Sequence, residues 1–270
     1  MSLLARIVRS LRARAGRLGA RGERWGVGAG MMDPAAHVLP AFLGIGAQKA
    51  GTTWLHANLS RHPDLFLPEE KEIHYFDWNL DKPLRWYAEH FQWAGPRLSG
   101  EITPGYSTLD DEAVRYVAHL MPSARLILML RHPVDRAWSQ AVMNLVKRPN
   151  VPIEQVPEEA FIEHFDADRT VLRGDYPAII ERWTRVFSDE QLFIGFFEEI
   201  QLEPERLLAN VMRHIGVDPP RSWEAYPVQS VIHRGAGHAM PERFRAHLSE
   251  RYADDLVWLK SRFPDQTAQW

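Results

Sequence analysis

The residues with the most to say about chemistry lie between 48 and 54. There Gln48-Lys49-Ala50-Gly51-Thr52-Thr53-Trp54 follows the apolar run Phe42-Leu43-Gly44-Ile45. A strand, a small-residue turn and the start of a helix make an anion site. The first backbone N–H groups of a helix lack partners within it, the helix dipole is positive there, and a phosphate or sulfate satisfies both. Gly51 lets the backbone approach closely and Ala50 keeps the turn small. Thr52 and Thr53 add hydroxyls, and Lys49 adds a positive charge. A bare small-residue turn can be a mere tight connection; these residue types together point to a phosphate.

The turn differs from the nucleotide triphosphatase loop G-x-x-x-x-G-K-[ST], whose lysine follows the second glycine. Lys49 precedes Gly51, so its charge enters from the other side. A second constellation, Arg131-His132-Pro133 with Ser139, follows the apolar run Arg125-Leu126-Ile127-Leu128-Met129-Leu130. A magnesium-dependent phosphotransferase carries a metal-holding Asp near that position. An arginine there can grip a second phosphate in bidentate fashion, and Ser139, two helical turns on, adds a hydroxyl. Alone, an Arg–Asp pair such as Arg131 and Asp135 at a helix start is more often a structural cap.

Together the two constellations resemble the sulfotransferases that use 3′-phosphoadenosine 5′-phosphosulfate (PAPS). The likeness continues through Pro68-Glu69-Glu70-Lys71-Glu72-Ile73-His74-Tyr75-Phe76, Gly100-Glu101-Ile102-Thr103-Pro104-Gly105-Tyr106, Arg173-Gly174-Asp175-Tyr176 with Trp183, Phe196-Phe197-Glu198-Glu199-Ile200 and Arg234-Gly235. It covers roughly residues 40–240 and leans to the bacterial and glycosaminoglycan-type branch. The resemblance implies that Ala50, Gly51, Thr52 and Thr53 hold the 5′-phosphate and that Lys49 contacts it and the bridging oxygen. It assigns the 3′-phosphate to Arg131 and Ser139, with Arg234 and Gly235 closing over it, and it places Trp54 and Tyr176 beside the adenine. The implied reaction moves a sulfuryl group to a hydroxyl or amine of a small molecule or saccharide, with no metal.

Three groups near strand ends can take the acceptor proton: Glu72, His74 and Glu101. In glycosaminoglycan-type relatives the residue matching Glu72 is the base, whereas the small-molecule branch uses a histidine. Glu72 is therefore the expected base and His74 its alternative. Partial burial is expected to raise the carboxyl pKa to suit this work. The plainer readings are a surface Glu72 paired with Lys71 or Arg85, and a His74 packed beside Tyr75 and Phe76. Ile102 replaces the lysine of the relatives' Glu-Lys-Thr-Pro segment, which argues against a strongly anionic polysaccharide as acceptor.

Two other classes remain on the sequence. A P-loop kinase-like phosphotransferase would need magnesium, and a non-catalytic nucleotide-binding module would keep the cleft without turnover. Composition narrows the field further. Zero cysteines exclude disulfides and thiolate catalysis. No apolar run reaches the ~18 residues of a membrane span. The formal charge of −3 hides seven arginines against one acid in residues 1–26, which leaves the remainder at −9. Leu3, Leu4, Ile7, Val8 and Leu11 recur at helical spacing among those arginines, so the arm reads as a solvated or body-packed segment, or as a peripheral contact with an anionic membrane. It lacks the apolar core of a secretory signal, and a cytoplasmic location is expected. An acidic body without basic–aromatic interleaving argues against nucleic acid.

The elements that must position these groups alternate along the chain. Strands are expected at about 41–46, 65–67, 98–103, 125–130 and 191–196, and helices at about 52–60, 83–92, 111–121, 133–147, 176–187 and 203–215. Residues 148–157, with three prolines, read as a surface loop. This alternation predicts an α/β, three-layer sandwich with a central parallel sheet, P-loop-like, whose ligand lies beyond the carboxyl ends of the strands. Residues 1–34 form a basic arm and linker, and 35–270 a single domain.

Overall fold

Five short, largely apolar segments become strands. They are β1 (Phe42–Gly46), β2 (Leu65–Phe66), β3 (Leu98–Ile102), β4 (Arg125–Leu130) and β5 (Leu192–Phe196), with β1, β3 and β4 buried along nearly their whole length and β2 and β5 in part. Continuous apolar runs, rather than alternating ones, are what a parallel sheet covered on both faces requires. The computed structural model describes residues 37–230 and 237–270, and Val38–Trp270 forms one compact unit. The arginine-rich arm, Arg234 and Gly235 lie outside the described residues.

The strands pair in the order β2-β3-β1-β4-β5, and every pairing is parallel. Helices connect and cover them in the expected three-layer arrangement: α1 (Thr52–Leu59), α2 (Leu84–Glu89), α3 (Asp111–Leu120), α4 (Pro133–Val142), α5 (Glu158–Asp166), α6 (Asp168–Gly174), α7 (Tyr176–Thr184), α8 (Phe197–Leu202), α9 (Pro204–Ile215), α10 (Glu242–Arg251) and α11 (Ala253–Arg262). The chain leaves β1 toward β2 and β3 on one side, then returns to build β4 and β5 on the other. The strand order therefore reverses at β1, which places a ligand crevice beyond its carboxyl end.

The main core joins the sheet to α1, α3, α7 and α9, with Phe42, Trp54, Leu128, Trp183 and Leu208 among its members. A second apolar cluster, around Trp138, Phe161, Phe165 and Phe244, ties α4 to α5 and α10. Two features depart from the sequence reading. The expected helix 133–147 is α-helical only to Val142 and continues as a π-helical turn over Met143–Lys147. Residues 158–174, 197–202 and 242–262 carry helices, α5, α6, α8, α10 and α11, that the sequence reading did not mark.

Candidate active site

β1 and β4 are neighbours, so the segments after them share one crevice. Between β1 and α1 the backbone turns through left-handed conformations at Lys49 (φ 73°) and Gly51 (φ 88°). Gly51 is the N-cap of α1, and no side chain caps that terminus. A Cβ at Gly51 would collide with Ile200 of α8, whose neighbour Phe197 lies close by. Glycine is thus required both by φ and by this close approach. The amides of Thr52 and Thr53 start α1 with no carbonyl of their own helix to meet.

Arg131 follows β4 directly. Its Nη1 donates to the Lys49 carbonyl at 3.3 Å, and its guanidinium lies over the Phe197 ring at 4.5 Å. The two cations expected to serve two phosphates therefore border the same crevice. Burial lowers the Lys49 pKa, and Lys147, Arg131 and Arg148 push it the same way. Burial also lowers Arg131, against the pull of Asp135 and Glu198. Among the described residues neither cation sits in an ion pair. The Lys49 ammonium donates to a soft partner, the Met143 sulfur, at 3.9 Å. Ser139 lies on α4 two turns beyond Arg131, half-buried.

The other wall of the site is the irregular segment 68–79. Glu72 (φ 67°) and His74 (φ 55°) are both left-handed, an unusual and costly state for residues with a Cβ. Glu72 forms an ion pair with Lys71 through one oxygen and faces His74 Nε2 at 3.6 Å through the other. His74 Nδ1 donates to Asp77 at 2.9 Å. Trp78 stacks on the imidazole, with centroids 3.5 Å apart and planes 8° from parallel. Burial opposes charge on both partners, yet their mutual bonds win. Glu72 is held down to about 2 by His74 and Lys71, and His74 is pushed up to about 9 by Asp77 and Glu72.

This corrects one expectation. Partial burial does not raise the Glu72 carboxyl; hydrogen bonds and ion pairing lower it. At neutral pH His74 is an imidazolium with both nitrogens protonated and cannot take a proton, whereas Glu72 is ionised. Glu101, the third candidate, is 2% exposed and engaged by Tyr87, Tyr106 and Thr103, so no acceptor can reach it.

The two aromatic residues expected beside the adenine are both buried in tertiary contacts. Tyr176 is fully buried, and its hydroxyl donates to the Arg131 carbonyl at 3.0 Å. Trp54 is 2% exposed, and its Nε1 donates to the Val228 carbonyl at 2.9 Å. Each ties down a distant backbone segment, Tyr176 that of Arg131 and Trp54 that of Val228. Asp77 was missed by the sequence reading. The spacing His74-x-x-Asp77 was the available signal, because a turn of that length lets a carboxylate bond Nδ1.

The sulfotransferase domain family matches residues 40–234. A membrane-associated sulfotransferase of Dictyostelium discoideum is 34% identical over 160 residues, covering 57% of this chain and 33% of that protein. Human heparan sulfate glucosamine 3-O-sulfotransferase 3A1 is 30% identical over 195 residues, covering 69% of this chain and 47% of that protein. The crystal structure of a sulfotransferase from Alicyclobacillus acidocaldarius superposes with a TM-score of 0.65 at 25% identity, over 83% of this chain and 95% of that one. The chain thus spans a third to a half of the length of these two relatives. The expected cytoplasmic location is overturned by the first of them, which is membrane-associated; no helix among the described residues is itself long and apolar enough to cross a membrane.

Proposed function

Because the chain belongs to the sulfotransferase domain family, we propose that this domain moves the sulfuryl group of PAPS to an acceptor hydroxyl or amine. One observation carries the reading. Two half-buried cations, Lys49 and Arg131, lie at adjacent strand ends, where the Arg131 guanidinium donates to the Lys49 backbone carbonyl at 3.3 Å, and neither side chain forms an ion pair among the described residues. Burying a charge without a counter-charge is costly, and an anionic ligand removes that cost. A nucleotide with a phosphate at each end of its ribose suits a pair of such sites.

In this proposal Ala50, Gly51, Thr52 and Thr53 hold the 5′-phosphate with the open amides of α1. Arg131 and Ser139 hold the 3′-phosphate, and Arg234 with Gly235 closes over it. Glu72 takes the acceptor proton as the new S–O bond forms. The electron pair of the breaking S–O bond passes to the departing phosphate oxygen, where Lys49 neutralises it. His74, kept cationic, orients Glu72 and is not the base. The acceptor is a small molecule or a saccharide; the 3-O-sulfotransferase relative acts on a glucosamine of heparan sulfate. Residues 35–270 act as one domain, and the arginines of 1–26 offer contact with an anionic membrane surface.

Calorimetric titration with adenosine 3′,5′-bisphosphate in magnesium-free buffer tests the reading. The wild type should bind, and the Arg131→Ala variant should bind ~10-fold or more weakly, as expected on losing a charge-assisted hydrogen bond. Absence of binding, or tighter binding of ATP with magnesium, overturns it.

A further inference from the structure

Glu101 is a buried ionisable group that the proposed mechanism leaves without a task. It belongs to β3, pairs across to Leu43 of β1, and is 2% exposed. Its Oε1 accepts from the hydroxyls of Tyr87 at 2.6 Å and Tyr106 at 2.9 Å, and its Oε2 accepts from Thr103 at 2.6 Å. Two of these hydroxyls also reach the segment that holds the base. The Tyr106 hydroxyl accepts from the Tyr75 amide at 2.9 Å, and the Thr103 hydroxyl faces the His74 amide at 3.5 Å.

A hydroxyl carries one proton. Once that proton is given to a carboxylate, the oxygen can only accept from its other neighbours. The direction of both hydroxyls is therefore set by Glu101, and both are left to receive amides of the segment 72–77. That segment needs such ties, because two of its residues hold left-handed backbone. The Asn79 side chain adds a third, donating to the Ile73 carbonyl at 3.0 Å.

We propose that Glu101 is a positioning residue, whose carboxylate orients Tyr106 and Thr103 so that their hydroxyls hold the backbone carrying Glu72, His74 and Asp77. The significance of the device rests on Glu72 being the base. The amide of a glutamine at 101 must present its NH2 toward one of the hydroxyl sites. Whichever way it turns, at least one hydroxyl then accepts from that NH2 instead of donating to residue 101, its proton is no longer fixed there, and its tie to the segment is weakened.

The test uses the full chain with Glu101→Gln, read by amide hydrogen exchange and by NMR titration of His74. Exchange across 72–77 should accelerate about ten-fold, with α1 unchanged and adenosine 3′,5′-bisphosphate bound as before. The His74 pKa should fall from about 9 toward its ordinary 6.5, because Glu72 and Asp77 are no longer held against it. Unchanged exchange and an unchanged titration in the folded variant overturn the proposal. If that variant does not fold, Tyr106→Phe removes one tie while leaving Glu101 bonded to Tyr87 and Thr103, and normal exchange there overturns it equally. Neither readout depends on turnover. A fully active Glu72→Gln variant would sink the assignment of the base, yet leave this test standing.

Discussion

The two walls of the crevice solve opposite electrostatic problems. On one wall Lys49 and Arg131 are half-buried cations, lowered in pKa by desolvation, with the Arg131 guanidinium bonded to the Lys49 backbone carbonyl and no ion pair to either side chain among the described residues. On the other, Glu72, His74, Asp77 and Lys71 neutralise one another within seven residues of chain. The first wall is incomplete until an anion arrives. The second is complete already, and binding an acceptor there must exchange contacts rather than satisfy empty ones. On the proposed function, the Lys49 and Arg131 wall serves affinity for the sulfuryl donor and the Glu72 wall serves geometry toward the acceptor, so that binding energy and catalysis are separated.

Substitutions can break that contrast. The largest effect is expected from Glu72→Gln, which keeps shape but removes the proton acceptor. Transfer from labelled PAPS to the best acceptor of a phenol and amino-sugar panel should fall ~10²–10⁴-fold, with unchanged affinity for adenosine 3′,5′-bisphosphate. An equal loss of affinity would mean that the two walls are not separable. Lys49→Ala should cost ~10²–10³-fold in turnover, the usual effect of removing one preorganised group from a developing negative charge. It should also weaken nucleotide binding; a variant impaired only in acceptor KM would move Lys49 to the other wall.

A smaller effect separates the walls by pH. His74 has a folded pKa near 9 against an ordinary 6.5, so its contribution to stability is full below 6.5 and is lost as pH rises through 9. Glu72 is depressed from 4.5 to about 2, so its share is present above 4.5 and is lost as pH falls toward 2. The melting temperature of the wild type should therefore decline between pH 6.5 and 9 relative to a His74→Gln variant. Parallel pH curves for the two proteins would show that the acceptor wall adds nothing to stability.

How much of this was legible in the chain varies with the range of the interaction. The strand Arg125–Leu130 and the turn from β1 into α1 could be read directly, because a continuous apolar run and a small-residue turn are local properties. Helices α5 and α6 went unread: they are short, and their burial is thin, with only Phe161, Phe165, Thr170 and Gly174 inside. The break at Met143 was equally hidden, since the helical pattern of 133–147 contains no proline or glycine to end it.

Residue types and spacing by themselves determined the alternating fold, the anion turn at Lys49 and Gly51, and the second cation at Arg131, because strand-end position follows from sequence order. Tertiary structure alone decided the rest. It buried Tyr176 and Trp54 as anchors, turned Glu101 from a candidate base into a bonded core carboxylate, and made His74 a cation and Glu72 a strong acid. The first three depend on which groups meet across long stretches of chain, whereas Glu72 and His74 meet close neighbours in order that only the left-handed backbone brings face to face. A side chain's protonation is fixed by what surrounds it in space.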